Sequence, residues 1–362
     1  MKKTGAWVIA ALLAFSCLFG ALAEPTVIEP DMSLAVEKSV SDSLAETNPE
    51  VEGESPLTGL KTDESYTPIT LVLDNSPEVY PHWGVAEADW LIQVPIRKDG
   101  GTRLIALYGG AYPEQAGGVR SARMTTLPVA TMFTAAMACG GWPPNSSEDI
   151  SVAHWIDKWD FNKPIRYYNL LGGKYRERVD FLPEPQNLSA HIDQIHQSLA
   201  ERKVKFQKRS FLFSDLPLTG GDAATAVSTD FLAWNKDPEK RLRNENSSAS
   251  FAYEAGKGYL RTSKAGLYTD RKSGEPVVFA NLVILRCPIE WGGGDYPYYR
   301  NHLAGSGQAE FFQDGRHFSG AWYRAGKQSR LVLLDESGKE ISLRRGKTFL
   351  IIGDEHVRIS YE

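Results

Sequence analysis

The chain has 362 residues, of which 42% are hydrophobic and 23% charged, a composition typical of a folded protein with more than one domain. The formal net charge is −5, and the acidic excess is confined to residues 24–55, which hold nine acids and one Lys. Residues 56–362 hold 37 basic and 36 acidic side chains. This balance excludes a broad basic face, so no nucleic-acid partner is predicted.

Residues 1–23 have the pattern of an export signal. Lys2 and Lys3 precede an apolar stretch of signal length, and small residues before position 24 predict cleavage after Ala23. The alternatives are acylation at Cys17, as in a lipoprotein, and a short membrane anchor. We therefore expect an extracytoplasmic protein, either secreted or tethered to a membrane. No later apolar run is long enough to predict a transmembrane span in the mature chain.

The remaining chain divides into three segments. Residues 24–55 contain no aromatic side chain and many acids, which predicts a disordered acidic spacer. Residues 56–218 alternate between strand-like and helix-like patterns, and residues 219–362 contain short strands separated by turn signals. The predicted fold is an α/β N-terminal domain followed by a smaller strand-rich domain.

Hydrophobic patterns locate the elements of the first domain. The predicted strands are 69–73, 90–94, 103–108 and 211–213. One helix is predicted over 127–137, with Pro128 in its first turn, and a second over 189–203. Ser189 is the predicted N-cap of the second helix.

The second domain is predicted to contain strands only. The predicted strands are 277–285, 311–318, 321–324, 330–334, 348–352 and 357–361. Asp314 and Gly315 interrupt the 311–318 segment, and this dipeptide predicts a tight hairpin turn.

Residue types with metal or nucleophilic chemistry are scattered. The chain contains no His-x-x-x-His or Cys-x-x-Cys pattern, so neither a metal site nor a cofactor is predicted. A Ser-His-Asp or Cys-His arrangement stays open, because its members need not be close in sequence. After signal cleavage, Cys139 and Cys287 are the remaining thiols, and we expect two separate buried thiols rather than a disulfide.

The stretch 117–123 (GGVRSAR) is the strongest candidate for a binding site. Gly117 and Gly118 free the backbone to approach a ligand, and Arg120 and Arg123 are spaced to lie on one face of a turn. Paired guanidinium groups suit a carboxylate or phosphate ligand.

Two nearby residues are expected to join this candidate anion site, namely Arg103 and Ser121. The alternative is that the Arg side chains pair internally with acids such as Asp74, Glu87 or Asp89. The sequence leaves both possibilities open.

Several segments together resemble the YerB-like family of bacterial envelope proteins, many of them candidate lipoproteins. They are 56–60 (PLTGL), 84–89 (GVAEAD), 100–103 (GGTR), 118–123 (GVRSAR), 251–254 (FAYE), 273–276 (SGEP) and 305–307 (GSG). The resemblance extends over nearly all of the chain after residue 55. It implies export and a pair of domains of unknown function, but no reaction.

The resemblance also indicates supporting residues and departures. Asp74 and Asn75 end the first predicted strand, and Asn187 matches a family Asn, so these three are expected to support the site. Family members carry His at the positions of Ala138 and Gln186, and the loss of both argues against catalysis here.

The sequence therefore predicts an exported, envelope-associated protein that binds an anionic envelope ligand or an envelope protein. A binding protein is favoured over an enzyme. The alternatives are a hydrolase acting on the cell wall and an adaptor that regulates wall-synthesis enzymes. The residues do not specify the ligand or the oligomeric state.

Overall fold

The computed structural model describes residues 24–36, 44, 47–144, 151–161, 166–292 and 298–362. The predicted signal segment, with Cys17 and Ala23, lies outside the described residues. Among the helices of the described ranges, none is long and apolar enough to cross a membrane.

Strands dominate the described chain from end to end. The strands are β1 (Thr26–Ile28), β2 (Ile69–Asp74), β3 (Trp90–Pro95), β4 (Thr102–Tyr108), β5 (Ala116–Gly117), β6 (Ala136–Cys139), β7 (Tyr167–Asn169), β8 (Arg176–Arg178), β9 (Leu188–Ala190), β10 (Leu212–Ser214), β11 (Asp222–Ala223), β12 (Ala226–Phe231), β13 (Ala249–Glu254), β14 (Gly258–Ser263), β15 (Gly266–Leu267), β16 (Val278–Phe279), β17 (Asn281–Arg286), β18 (Ile289–Gly292), β19 (Tyr298–Asn301), β20 (Gly305–Gln313), β21 (Arg316–Arg324), β22 (Val332–Asp335), β23 (Ser342–Arg344), β24 (Thr348–Gly353) and β25 (Val357–Tyr361). The helices are α1 (Leu127–Met132), α2 (Val152–Lys158) and α3 (Ile192–Glu201).

The largest sheet joins the two predicted domains. Its strand order is β11-β21-β20-β17-β24-β3-β4-β2-β6-β7, with β22 paired to β21. The junction is the parallel pair β24 and β3, in which Thr348 lies opposite Trp90 and Ile351 opposite Gln93. We therefore call this the central sheet, because strands from residues 56–218 and from residues 219–362 lie side by side in it.

Continuous apolar sequence explains why the middle of this sheet is buried on both faces. Along β24, Phe349 and Ile351 pack into one core while Leu350 and Ile352 pack into the core on the opposite face. Every residue of β2 is also buried. A strand covered on both sides has no need of polar alternation, and this is the pattern from which these strands were predicted.

A second sheet receives the N-terminal segment. Its order is β1-β25-β12-β13-β14-β15, with β16 paired to β14. Strand β1 pairs antiparallel with β25, and the side chains of Leu34 and Val36 pack against Tyr323 and its neighbours. Residues 26–28 and 34–36 of the predicted spacer are therefore ordered, in contrast to the disorder expected from sequence. The first segment pairs with a sheet edge, and the apolar side chains of the second pack on a hydrophobic patch.

The expectation of an α/β first domain is wrong in its helical content, since the protein is strand-rich throughout. The apolar run predicted as one helix forms α1 and then β6, with Thr134 between them at a φ of 52°. Strand β6 pairs in parallel with β2, a long-range interaction that overrides local helix propensity.

The second predicted helix is shorter than expected. Ser189 lies in β9 rather than at a cap, and His191 is the N-cap residue of α3. The predicted hairpin is present, with Asp314 and Gly315 both at positive φ between β20 and β21. This backbone geometry suits the right-handed twist of paired strands.

Candidate binding site

One buried carboxylate binds two guanidinium groups at the end of β2. Asp74 is directly opposite Arg103 of β4 in the antiparallel register, and Arg103 Nη1 lies 3.0 Å from Asp74 Oδ1. Arg120 Nε lies 2.9 Å from Asp74 Oδ2. Arg120 reaches this position because its backbone N–H donates to Val72 O, which holds the residue beside β2.

The site has a net positive charge at its centre. Asp74 is only 3% exposed and contributes one negative charge, whereas Arg103 and Arg120 contribute two positive charges. Burial lowers the pKa of Arg103 to about 9, while Asp74 raises it in opposition. Arg103 therefore stays protonated at neutral pH, and the cluster of Asp74, Arg103 and Arg120 has one positive charge in excess.

These residues form part of a cavity of about 320 Å³, here called the polar cavity. It is lined by Asp74, Asn75, Ser76, Glu78, Ile96, Arg97, Gly101, Thr102, Arg103, Arg120, Gln186, Asn244, Asn246 and Ser247. In its wall, Arg103 Nε and Ser76 Oγ are buried and have no hydrogen-bond partner within the protein. Since unpaired buried polar atoms are costly, these two atoms indicate a place for a polar ligand.

Asn75 is fixed rather than free to bind. Its Nδ2 donates to Thr102 Oγ1 at 2.7 Å, and its Oδ1 accepts a hydrogen bond from the Tyr80 hydroxyl. Gln93 Nε2 donates to the same Thr102 oxygen and to Ser247 O. Asn75 therefore shapes the wall of the polar cavity, with its amide held by Thr102 on one side and Tyr80 on the other.

The opposite wall comes from the second half of the chain. The Asn244 side chain donates to Asp99 O at 2.7 Å, and its Oδ1 accepts from the backbone N–H groups of Asn246 and Ser247. This turn holds Asn246 at the rim of the polar cavity. The cavity thus lies where the two halves of the chain meet.

A buried aromatic layer lies behind Asp74. His82 Nε2 is 2.7 Å from Asp74 O, and His82 Nδ1 is 3.2 Å from the Tyr268 hydroxyl. Burial lowers the pKa of His82 to about 4, so the ring is neutral at physiological pH. Arg261 donates to the Tyr80 hydroxyl, which in turn donates to Asn75. This layer supports the residues at the end of β2.

The structure separates the predicted site residues into two groups. Arg103, Arg120, Asp74 and Asn75 line the polar cavity, whereas Arg123, Ser121, Gly117, Gly118 and Asn187 are absent from its lining. The internal pairing considered from sequence is present for Asp74 with Arg103 and with Arg120, although Arg120 keeps partial exposure.

The second group has structural partners. Arg123 Nη1 donates to Ala122 O, and Ser121 Oγ donates to Gly140 O. Asn187 Oδ1 accepts from Arg178. A Cβ on Gly117 would lie 2.3 Å from Trp83 Cζ2, and one on Gly118 would lie 2.4 Å from Gln186 O. These glycines permit close packing of the chain against Trp83 and Gln186.

Sequence reasoning missed several cavity residues. Ser76 directly follows Asp74 and Asn75 at the end of β2, so its position beside them could have been predicted from the sequence. Asn244 and Asn246 are more than 100 residues from Asp74 in sequence and carry no local signal. Gln186 was noted as the position of a family His but was not assigned to the site.

Outside the polar cavity, the two cysteines are buried, and one cluster of two acids and a histidine is held by contacts among its own members. Cys139 and Cys287 are both free and buried, and burial raises the pKa of the Cys139 thiol to about 12. Asp354, Glu355 and His356 place potential metal-ligand atoms within 4.8 Å of one another, although no metal site was predicted. Their atoms interact with each other, with His356 Nδ1 at 3.1 Å from Asp354 Oδ1.

The fold and this cavity define a two-domain, strand-rich protein with a buried Arg-carboxylate site. Family comparison then identifies the chain. Residues 57–205 match the model for the N-terminal domain of a protein of unknown function (DUF3048), and residues 240–350 match the model for its C-terminal domain. The chain therefore belongs to this YerB-like family, as its sequence resemblance indicated.

Two comparisons involve one relative. YerB, a candidate lipoprotein of Bacillus subtilis (strain 168), is 26% identical over 309 residues, which cover 82% of this chain and 85% of the relative. The crystal structure of YerB from Bacillus subtilis matches with a TM-score of 0.68 at 24% identity, over 85% of this chain and 99% of that chain. The structural match supports the fold.

Proposed function

We propose that this protein is an exported, cell-envelope-associated binding protein that recognises an anionic ligand in the polar cavity. The observation that carries this proposal is the charge arrangement around Asp74, in which two guanidinium groups share one buried carboxylate. The similarity to a candidate lipoprotein and the export signal in the sequence support an envelope location.

The geometry favours an anion over a cation or an apolar molecule. Asp74 already binds two guanidinium groups, so it has little capacity to bind an incoming ammonium group. The cavity lining is predominantly polar. Besides Arg103 and Arg120 it includes Arg97, which pairs with Asp99, and one further carboxylate, the exposed Glu78. Arg120 uses Nε toward Asp74, and its terminal nitrogens offer the forked geometry that carboxylates and phosphates match.

Calorimetric titration of the purified chain with inorganic phosphate, citrate and galacturonic acid tests the proposal. At least one anion should bind, and Arg120→Ala should weaken that binding by about ten- to a hundredfold, as expected for charged hydrogen bonds. Arg358→Ala is the matched control, because Arg358 is an exposed guanidinium of β25 and is not part of the polar cavity. An unchanged affinity in Arg120→Ala, or no binding of any anion, contradicts the proposal.

A further inference from the structure

A second cavity, of about 540 Å³, combines aromatic and polar side chains. It is lined by Trp83, Glu114, Gln115, Glu177, Phe181, His191, Arg271 and Lys272, and is here called the aromatic cavity. Phe181 is 46% exposed although its ring packs against another aromatic side chain. Its ring lies 5.1 Å from the buried Trp83 ring in an edge-to-face arrangement.

The polar residues around Phe181 are held in place. The Arg271 guanidinium lies 4.9 Å from the Phe181 ring centroid, and Arg271 donates to Pro81 O and Tyr80 O. His191 Nδ1 is 2.8 Å from Glu114 O. A fixed apolar ring surrounded by charged hydrogen-bonding groups is complementary to a sugar, which has C–H faces and a rim of hydroxyl groups.

Two backbone segments connect the aromatic cavity to the polar cavity. Gly117 O accepts from the N–H of Trp83 in the aromatic cavity, and the next residue, Gly118, accepts from the N–H of Asp74 in the polar cavity. Phe181 and Gln186 belong to one segment and line different cavities. Five residues span at most about 18 Å, so Phe181 of one cavity and Gln186 of the other lie within about that distance of each other.

We propose that the ligand is an anionic oligosaccharide, with its charged group in the polar cavity and a neighbouring sugar ring packed on Phe181. This inference rests on the proposed function, since it uses the same anion site. Neither cavity alone requires a polymer. Their adjacency, with a cationic site on one side and an exposed ring among hydrogen-bonding groups on the other, matches a chain of at least two sugar units.

Titration with galacturonic acid and its dimer and tetramer tests the inference, with maltotetraose as the neutral control and glucose 6-phosphate as the phosphate-bearing monomer. The tetramer should bind at least tenfold more tightly than either anionic monomer, and maltotetraose at least tenfold more weakly than the galacturonate tetramer. Phe181→Ala should remove the gain with length and preserve monomer affinity. Arg120→Ala should weaken all anionic probes. Leu216→Ala is the matched control, since it removes a 76% exposed apolar side chain that lines neither cavity.

The outcomes separate the two proposals. If a small anion binds through Arg120 but affinity does not rise with saccharide length, the oligosaccharide inference is overturned and the anion site stands. The same conclusion follows if the gain with length survives Phe181→Ala. Equal binding of maltotetraose and the galacturonate tetramer overturns the requirement for charge. If no anionic probe binds, both proposals fail.

Discussion

Asp74 and Arg103 face each other across the antiparallel pair β2–β4, and their 3.0 Å contact is almost completely buried. Arg120 contacts the same carboxylate from a more exposed position, with 28% of its side chain accessible. The Asp74 carboxylate therefore has two guanidinium partners. Arg103 is buried with it, whereas Arg120 also reaches the polar cavity. Arg103 and Arg120 therefore have different roles.

Removing Arg103 should destabilise the protein far more than removing Arg120. Arg103→Met removes the more deeply buried of the two guanidinium partners of Asp74, and breaking a buried pair costs about 3–5 kcal/mol. Arg120→Ala leaves Asp74 paired with the more deeply buried Arg103, so we expect a smaller loss of about 1–2 kcal/mol. Urea unfolding of both variants measures the difference. Equal losses would contradict this division of roles, and Asp74→Asn combined with Arg103→Met should recover part of the stability.

His82 should make the protein sensitive to mild acid. Its pKa is about 4 in the folded chain and about 6.5 in an unfolded one, so the unfolded state gains a proton first as pH falls. The stabilisation is complete above pH 6.5 and is lost progressively between pH 6.5 and pH 4, by about 3 kcal/mol.

The pH effect of His82 is best measured as a difference between variants. Burial raises the pKa of Asp89 to about 6, and this group favours the folded state as pH falls through the same window. The two effects oppose each other in the wild type. The stability of the wild type minus that of His82→Gln, measured from pH 7.5 to pH 4, should decline with falling pH. A flat difference would mean that His82 does not titrate as expected.

Gly117 should not tolerate a methyl group. In Gly117→Ala the new Cβ meets the ring of Trp83, which is itself buried, so relief requires movement of a packed side chain. We expect a loss of about 1–3 kcal/mol, as for other overpacked sites. Gly326→Ala is the matched control, because a Cβ there meets nothing within 4 Å. Thermal melts of both variants decide the matter, and similar melting temperatures would show that Trp83 yields easily.

The two halves should unfold together. Strand β24 pairs with β3 and β17, and Ile351 at this junction is fully buried. Calorimetry should give one transition whose calorimetric and van't Hoff enthalpies agree. Ile351→Ala should lower its midpoint through a loss of about 2–5 kcal/mol, whereas Leu242→Ala, at a 74% exposed position, should not. Two separate transitions would indicate independent domains.

Local sequence was informative where local chemistry decides the structure. The buried strands ending at Asp74 and the hairpin at Asp314 were predictable, because apolar runs and turn dipeptides act over a few residues. The helix expected over 127–137 forms only as far as Met132, because pairing of β6 with β2 depends on a distant segment. The same limit applies to the candidate site: Arg103, Arg120 and Asp74 were recognisable, whereas the wall containing Asn244 depends on the tertiary fold.

The late position of β24 in the chain determines when β3 can acquire its second neighbouring strand. One edge of β3 is occupied by β4, which follows closely in sequence, but its other edge waits for β24, about 250 residues later. The partner for that edge is therefore among the last segments to emerge, whether from a ribosome or across a membrane. An apolar strand edge left open is a template for pairing with another chain, so the arrival of β24 removes an aggregation-prone surface.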